Sequence, residues 1–436
     1  MPLDYPIHRR TLPNGMRVVV SPDHTVPNVT VNIWVGVGSR HETVGRTGFA
    51  HLFEHLMFQG SRSVRSGEHF EALMAEGARL NATTWFDRTN YFETVPTGAV
   101  ELALWLEADR HGFLLDAVTQ ENLDNQRDVV KEEKRQRYDN QPYGNALIDV
   151  YAAVFPDGHP YHHPTIGSME DLDAASLDDV HAFFRAHYGP DNTVLTLCGD
   201  ITAEHGFALV ERYFGDLVAS AAPRRADHPQ LAPLEQPVRV ERREVVPNDR
   251  LHVAFRLPVD ETDDFIAGAV ALDCIGGLAT SRLVRRLVRR EQTALGAHAT
   301  AWGFVDGASL GFVVLDVAPG TDPDEVEAAF VEELEGFLEH GPTAIELEAS
   351  LAQSERSWLS ALASQEERAD LVSHYLLLHD DPGVVNSHLD RLRDVTAEQV
   401  VESARRWLRP DSRATVAYLV ADDASDAETA TTEDVA

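Results

Sequence analysis

The sequence predicts an α+β protein of two homologous halves, each a largely antiparallel sheet with helices packed on one face. Length is the first reason, since 436 residues exceed one ordinary core and suit two domains of about 200 residues each. Order is the second: β-branched runs, helical patterns, a strand pair, a long helix and a closing strand follow one another twice. The third is a Pro- and Ala-rich break at 219–237, which reads as a linker. The expected divisions are therefore a domain over 1–220, a linker over 221–237, a second domain over 238–420 and a tail over 421–436. The tail is acidic, small-residue and aperiodic, and is expected to be disordered.

In the first half, Pro13-Asn14-Gly15 is a turn before the β-branched run 16–20, and 29–35 alternates as a half-buried strand does. Helical patterns start near Thr47, Ser66 and Val100, a strand pair is expected over 80–86 and 90–95, and a long polar helix over 119–138. Further helices start near Gly144 and Ser176, and strand 193–197 closes this half. In the second half, 251–255 is a strand, 264–275 and 281–290 are helices, and 302–317 is a strand pair. A helix over 322–339, a helical region over 343–378 and a strand over 414–419 follow.

Charge narrows the function. There are 37 Lys+Arg against 71 Asp+Glu, a net charge of −34. Such a surface repels a phosphate backbone, so nucleic acid is not an expected partner. Solubility explains the acidity most simply, and attraction of basic peptides is the functional alternative. Cys198 and Cys274 lie in apolar stretches without ligand-spaced neighbours and read as buried thiols. No apolar run precedes Arg9 and Arg10 as a signal peptide requires, and none approaches the roughly 20 residues of a membrane span. A cytoplasmic location is the default expectation.

The chemistry concentrates in 47–60. Thr47 suits an N-cap and Gly60 a stop, giving a helix of about three turns. His51, Glu54 and His55 fall at i, i+3 and i+4, a single polar stripe on a helix otherwise covered by Phe49, Leu52, Phe53, Leu56 and Met57. Two imidazoles so spaced reach one zinc ion, while the intervening carboxylate lies beside the metal, placed to take a proton from a water that the metal acidifies. The bland reading is a hydrogen-bonded core stripe. A catalytic zinc needs a third protein ligand. The long helix offers Glu132 and Glu133, and periodicity does not choose between them.

His51-Leu52-Phe53-Glu54-His55 is the inverted zinc motif H-x-x-E-H. Its flanks resemble the pitrilysin/insulinase family of metallopeptidases, in the mitochondrial-processing-peptidase-like branch. The supporting matches are Leu12-Pro13-Asn14-Gly15-Met16-Arg17-Val18-Val19, Gly36-Val37-Gly38-Ser39-Arg40, Gly45-Arg46-Thr47-Gly48-Phe49-Ala50 and Asn81-Ala82-Thr83-Thr84. The resemblance implies one Zn2+ per chain and a distal Glu ending an Arg-x-Val pattern. Arg127-Asp128-Val129-Val130-Lys131-Glu132-Glu133 matches that pattern with Glu133 last, 78 residues after His55. It further implies Glu54 as general base and an extended peptide or small-protein substrate added along a sheet edge, with Asn81 and Ala82 as contacts. The His-rich segment 158–164 corresponds to a Pro-rich structural loop of the family.

The second half departs from this pattern. Ala271-Leu272-Asp273-Cys274-Ile275-Gly276-Gly277 stands where a second motif would fall, so this half is not expected to bind zinc in the same way. Active relatives carry a substrate-holding Arg and Tyr there; this chain has Arg289 and Arg290, but Leu295 at the Tyr position. The resemblance therefore implies a heterodimer with a homologous subunit that lacks the zinc motif and supplies the Arg–Tyr pair, or else a homodimer. A non-catalytic scaffold of the same fold is the rival expectation, and an unrelated metal-binding hydrolase module a further one.

Overall fold

A computed structural model describes residues 3–220 and 228–421. Most of the tail and 221–227 of the linker lie outside the described residues. The described residues form two compact units, one built from 3–133, 163–220 and 357–389, the other from 134–162, 228–356 and 390–421.

The first unit holds a six-stranded sheet of order β1-β2-β6-β3-β5-β4. Its strands are β1 (His8–Thr11), β2 (Arg17–Pro22), β3 (Asn28–Val35), β4 (Arg79–Thr84), β5 (Thr89–Pro96) and β6 (Thr193–Gly199). Only β2 and β6 pair in parallel. Its helices include α1 (Phe49–Leu56), α2 (Glu68–Ala75), α3 (Val100–Phe113) and α4 (Gln120–Lys134). Alternation sorts β3 onto two faces. Val29, Val31 and Ile33 join a core with Leu104 of α3 and with Phe207 and Val210 of the helix Ala203–Phe214. Trp34 faces the other way, into a core with Val372, Tyr375 and Leu376 of the helix Gln365–His379. One face is thus covered by helices near in sequence, and the other by a helix from the far end of the chain.

The second unit holds β7 (Val238–Glu244), β8 (Arg250–Leu257), β9 (Ala294–Trp302), β10 (Ser309–Val317) and β11 (Ala414–Val420), in the order β7-β11-β8-β10-β9. Again one pair, β7 with β11, is parallel. Without β1, the first sheet has the same order and the same single parallel pair, so the two halves are homologous in topology as well as in element order. Here the borrowed helix is α5 (Ala146–Val154): its Asp149 accepts from Tyr418 of β11 at 2.8 Å and from Arg242 of β7 at 2.8 Å. These two exchanged helices explain why the units interleave in sequence, whereas sequence reading draws one boundary at 221–237.

Local differences have local causes. The strand pair expected at 302–317 starts earlier, because Ala294–Trp302 is a strand of small residues without a β-branched run. The helical region 343–378 is two helices, broken where Ser364 caps the second through the Glu367 N–H. The helix 119–138 ends at Lys134 and continues as one wide turn, Arg135–Asp139.

Candidate metal centre

Helix α1 is shorter than its sequence suggests. Thr47 is not its cap: Gly48 holds that position with φ of +86°, and the helix ends at Leu56 after about two turns. The Thr47 hydroxyl instead donates to Asp171 at 2.7 Å and accepts from the Ser168 N–H at 2.9 Å. The orphan N–H groups go to Glu42, whose buried carboxylate accepts from Gly48 N at 2.9 Å and Ala50 N at 2.8 Å. His163 Nε2 lies 3.1 Å from the same carboxylate. Burial pushes the Glu42 carboxyl up, with His163 and the two N–H groups opposing. As acceptor for both N–H groups, Glu42 fixes the first turn, where His51 stands.

Helix α4 brings in the third residue. Leu123, Gln126 and Val130 form its buried stripe, and Glu133 continues it while Glu132 is exposed. Arg127 anchors the helix by donating to Leu172 O at 2.7 Å and Ala175 O at 2.8 Å. Glu133 Oε2 ends 3.3 Å from His55 Nε2 and 3.6 Å from His51 Nε2. The imidazole rings stand edge to face, 4.9 Å apart. Zinc bonds of about 2.0–2.1 Å in a tetrahedron place neighbouring ligand atoms about 3.3 Å apart. The spacing, and a donor set of two imidazoles and one carboxylate on half-buried side chains, fit that ion. Glu132 does not belong to the group.

Glu54 stands beside these residues rather than among them. Its Oε2 accepts from Thr84 Oγ1 at 2.6 Å. Burial pushes its carboxyl up, the Thr84 hydroxyl and His55 pull it back, and Glu133 adds to the rise. Thr84 ends β4, an outer strand of the sheet. On that strand Asn81 is exposed with its side chain accepting from Ala82 N at 2.9 Å, and Ala82 is buried, so its offer to a ligand is backbone.

Both segments of the chain match models of one family. Residues 17–167 match the model described as insulinase (peptidase family M16), and 174–354 that described as peptidase M16 inactive domain. The chain belongs to the M16 (insulinase) peptidase family. Among M16 relatives, the zinc protease PqqE of Helicobacter pylori is 27% identical over 415 residues, covering 94% of this chain and 91% of that protein. A probable mitochondrial-processing peptidase subunit beta of Schizosaccharomyces pombe is 29% identical over 212 residues, 48% of this chain and 45% of that protein. The crystal structure of a protease from Helicobacter pylori superposes with a TM-score of 0.87 at 24% identity, over 95% of this chain and 99% of that one. That likeness is one of fold.

The remaining sequence candidates fall elsewhere. His162 Nδ1 lies 2.8 Å from Phe155 O, His159 Nδ1 accepts from Tyr161 N at 3.2 Å, and His163 serves Glu42. Among the described residues none of the three belongs to a group with metal-ligand spacing. In the second unit Arg289 donates to Ala279 O at 2.8 Å, and Leu295 is exposed on β9. Sequence reading missed Glu42 and Thr84, which carry no periodic or spacing signal and act through tertiary contact. No helix among the described residues is long and apolar enough to cross a membrane.

Proposed function

We propose that this chain is the zinc-bearing subunit of a metalloendopeptidase acting on extended peptides or small proteins. The observation that carries the proposal is the meeting of His51, His55 and Glu133 from two helices at 3.3–3.6 Å. These three hold one Zn2+, and Glu54 takes the proton of the attacking water and returns it to the leaving amine. The metal, when bound, supplies a Lewis acid and an acidified water. The outer strand β4 offers its backbone to the peptide, with Asn81 and Ala82 as contacts. A second, homologous subunit without the zinc motif supplies the Arg–Tyr pair that this chain lacks at Leu295, and the pair works in the cytoplasm.

Metal analysis and peptide cleavage by the wild type and Glu54→Gln, each with and without such a subunit, test this reading. Glu54→Gln is expected to keep zinc and lose turnover, and His51→Ala to lose both. Full turnover in Glu54→Gln would remove the base, and equal rates with and without the subunit would remove the heterodimer. The second reading is a non-catalytic scaffold; the match of 174–354 to a model described as inactive concerns the half that holds none of the metal residues. The scaffold reading predicts a chain that takes up no zinc.

A further inference from the structure

We propose that Thr84 is a positioning residue for the Glu54 carboxylate, so that the strand that receives substrate also aims the base. The inference rests on the peptidase reading above. A glutamate has three rotatable bonds between backbone and carboxylate, and α1 fixes only where they begin. Thr84 Oγ1 donates to Glu54 Oε2 at 2.6 Å, in the range of a short, charge-assisted bond. One oxygen is thereby tied, and Oε1 remains to meet a water.

The donor itself is held from behind. Thr83 Oγ1 donates to Asn90 Oδ1 at 2.5 Å, across the β4–β5 pairing. Arg88 donates to Thr83 O at 3.0 Å and to Asn90 Oδ1 at 3.2 Å, with its guanidinium 4.7 Å over the Trp34 ring. Asn90 in turn donates to Asp370 at 3.0 Å, as does Trp34 at 2.9 Å. The end of β4 is therefore a braced platform, and the Thr84 hydroxyl is its one group bonded to the proposed catalytic residue. A second rigid group of this kind is what a general base needs if its carboxylate is to stay aimed. Because β4 also pairs with the incoming peptide, substrate and base are referred to the same stretch of backbone.

Thr84→Val keeps the β-branched shape and the strand propensity and removes only the hydroxyl, whereas Thr84→Ser keeps the hydroxyl. In the zinc-loaded full chain, Thr84→Val is expected to lower kcat about 10- to 100-fold, as misplacement of a catalytic group by about 1 Å does. KM and zinc affinity, measured by chelator competition, stay within about twofold of wild type, and Thr84→Ser recovers most of the rate. Wild-type kcat in Thr84→Val, a loss carried by KM alone, or no recovery in Thr84→Ser overturns the proposal. Should the wild type cleave no peptide at all, the peptidase reading fails, and Thr84 is then judged by crystal structures of the metal-free wild type and Thr84→Val. One Glu54 orientation in the first and a displaced or split one in the second supports positioning. An unmoved Glu54 carboxylate in Thr84→Val refutes it.

Discussion

Arg110→Met probes a buried charge cluster in the first unit. Arg110 is 2% exposed and Glu107 fully buried. The guanidinium donates through Nε to Glu107 Oε2 at 3.0 Å and through Nη2 to Oε1. It also lies 4.5 Å over the ring of Phe58 and 4.6 Å over that of Tyr91. His69 and His111 face the same carboxylate, but burial pushes their pKa values down to about 3 and about 4, so both are neutral at pH 7. Burial, with the Glu107 charge adding to it, pushes the Glu93 carboxyl up. Among the described residues Arg110 is then the cation paired with Glu107 at pH 7; burial alone would raise that carboxyl, and Arg110 brings it below its ordinary value. Methionine fills similar volume, so the expected loss is electrostatic: about 3–5 kcal/mol for a buried charge left unpaired. For a unit of this size that lowers Tm by about 6–20 °C. The pH dependence also changes sign. In wild type a lowered Glu107 pKa stabilises above the unfolded carboxyl value and is lost as pH falls. In the variant the raised pKa is tolerated only when protonated, so the deficit grows as pH rises through it. Calorimetry of wild type, Arg110→Met, Glu107→Gln and Glu107→Gln/Arg110→Met between pH 5 and 8 reads this, and the double variant is expected to recover most of the Arg110→Met loss. A deficit below about 1 kcal/mol, or a double variant as poor as the sum of the singles, would refute the reasoning.

Three further outcomes follow from the same geometry. Glu133→Gln is expected to weaken zinc binding by more than about 100-fold, since even outer-shell partners are worth about 10- to 100-fold, while exposed Glu132→Gln leaves it unchanged; metal titration distinguishes them. His252, like His69 and His111, has its pKa pushed down by burial, to about 4, so the unfolded chain binds more protons between pH 6.5 and 4. Stability measured by urea unfolding should therefore fall with pH through that window, with a shallower slope in His252→Phe. Glu42→Ala leaves Gly48 N, Ala50 N and His163 without their acceptor, and is expected to cost about 2–3 kcal/mol in thermal unfolding and to weaken zinc binding through the loosened α1.

Much of this arrangement is legible in the sequence where the signal is local. The alternation in 29–35 gives β3, and the i, i+3, i+4 stripe gives His51, Glu54 and His55 on one helix face. The third residue is less local. Val129 and Val130 are both apolar, and only burial of Val130 with exposure of Val129 at 41% fixes which glutamate continues the inner stripe. Thr47 reads as a cap because threonine is a good one, yet a carboxylate from Glu42 takes the helix N–H groups and turns Thr47 to Asp171. The exchanged helices are the least legible. Val372, Tyr375 and Leu376 announce an apolar stripe, but nothing near them says that its partners are Val19, Trp34 and Val194 on three strands of the other half.

The second half shows how far the duplicated scaffold is from the chemistry. Its sheet repeats the first apart from β1, yet the segment where a second motif would fall ends in a wide turn, Asp273–Gly277. Asp273 accepts from Ser350 at 3.0 Å, and burial pushes its carboxyl up. Gly276 packs so tightly on β9 that an added Cβ would stand 2.8 Å from that of Ala299, and one on Gly277 would stand 2.5 Å from the Asp273 carboxylate. Neither position has room for a larger side chain. Restoring two histidines here would first require the turn and strand to separate, which point substitutions do not achieve. The shared strand order is a property of the sheet, whereas the metal stripe depends on the residues of one helix and the room around them, so the same topology carries the site in one half only.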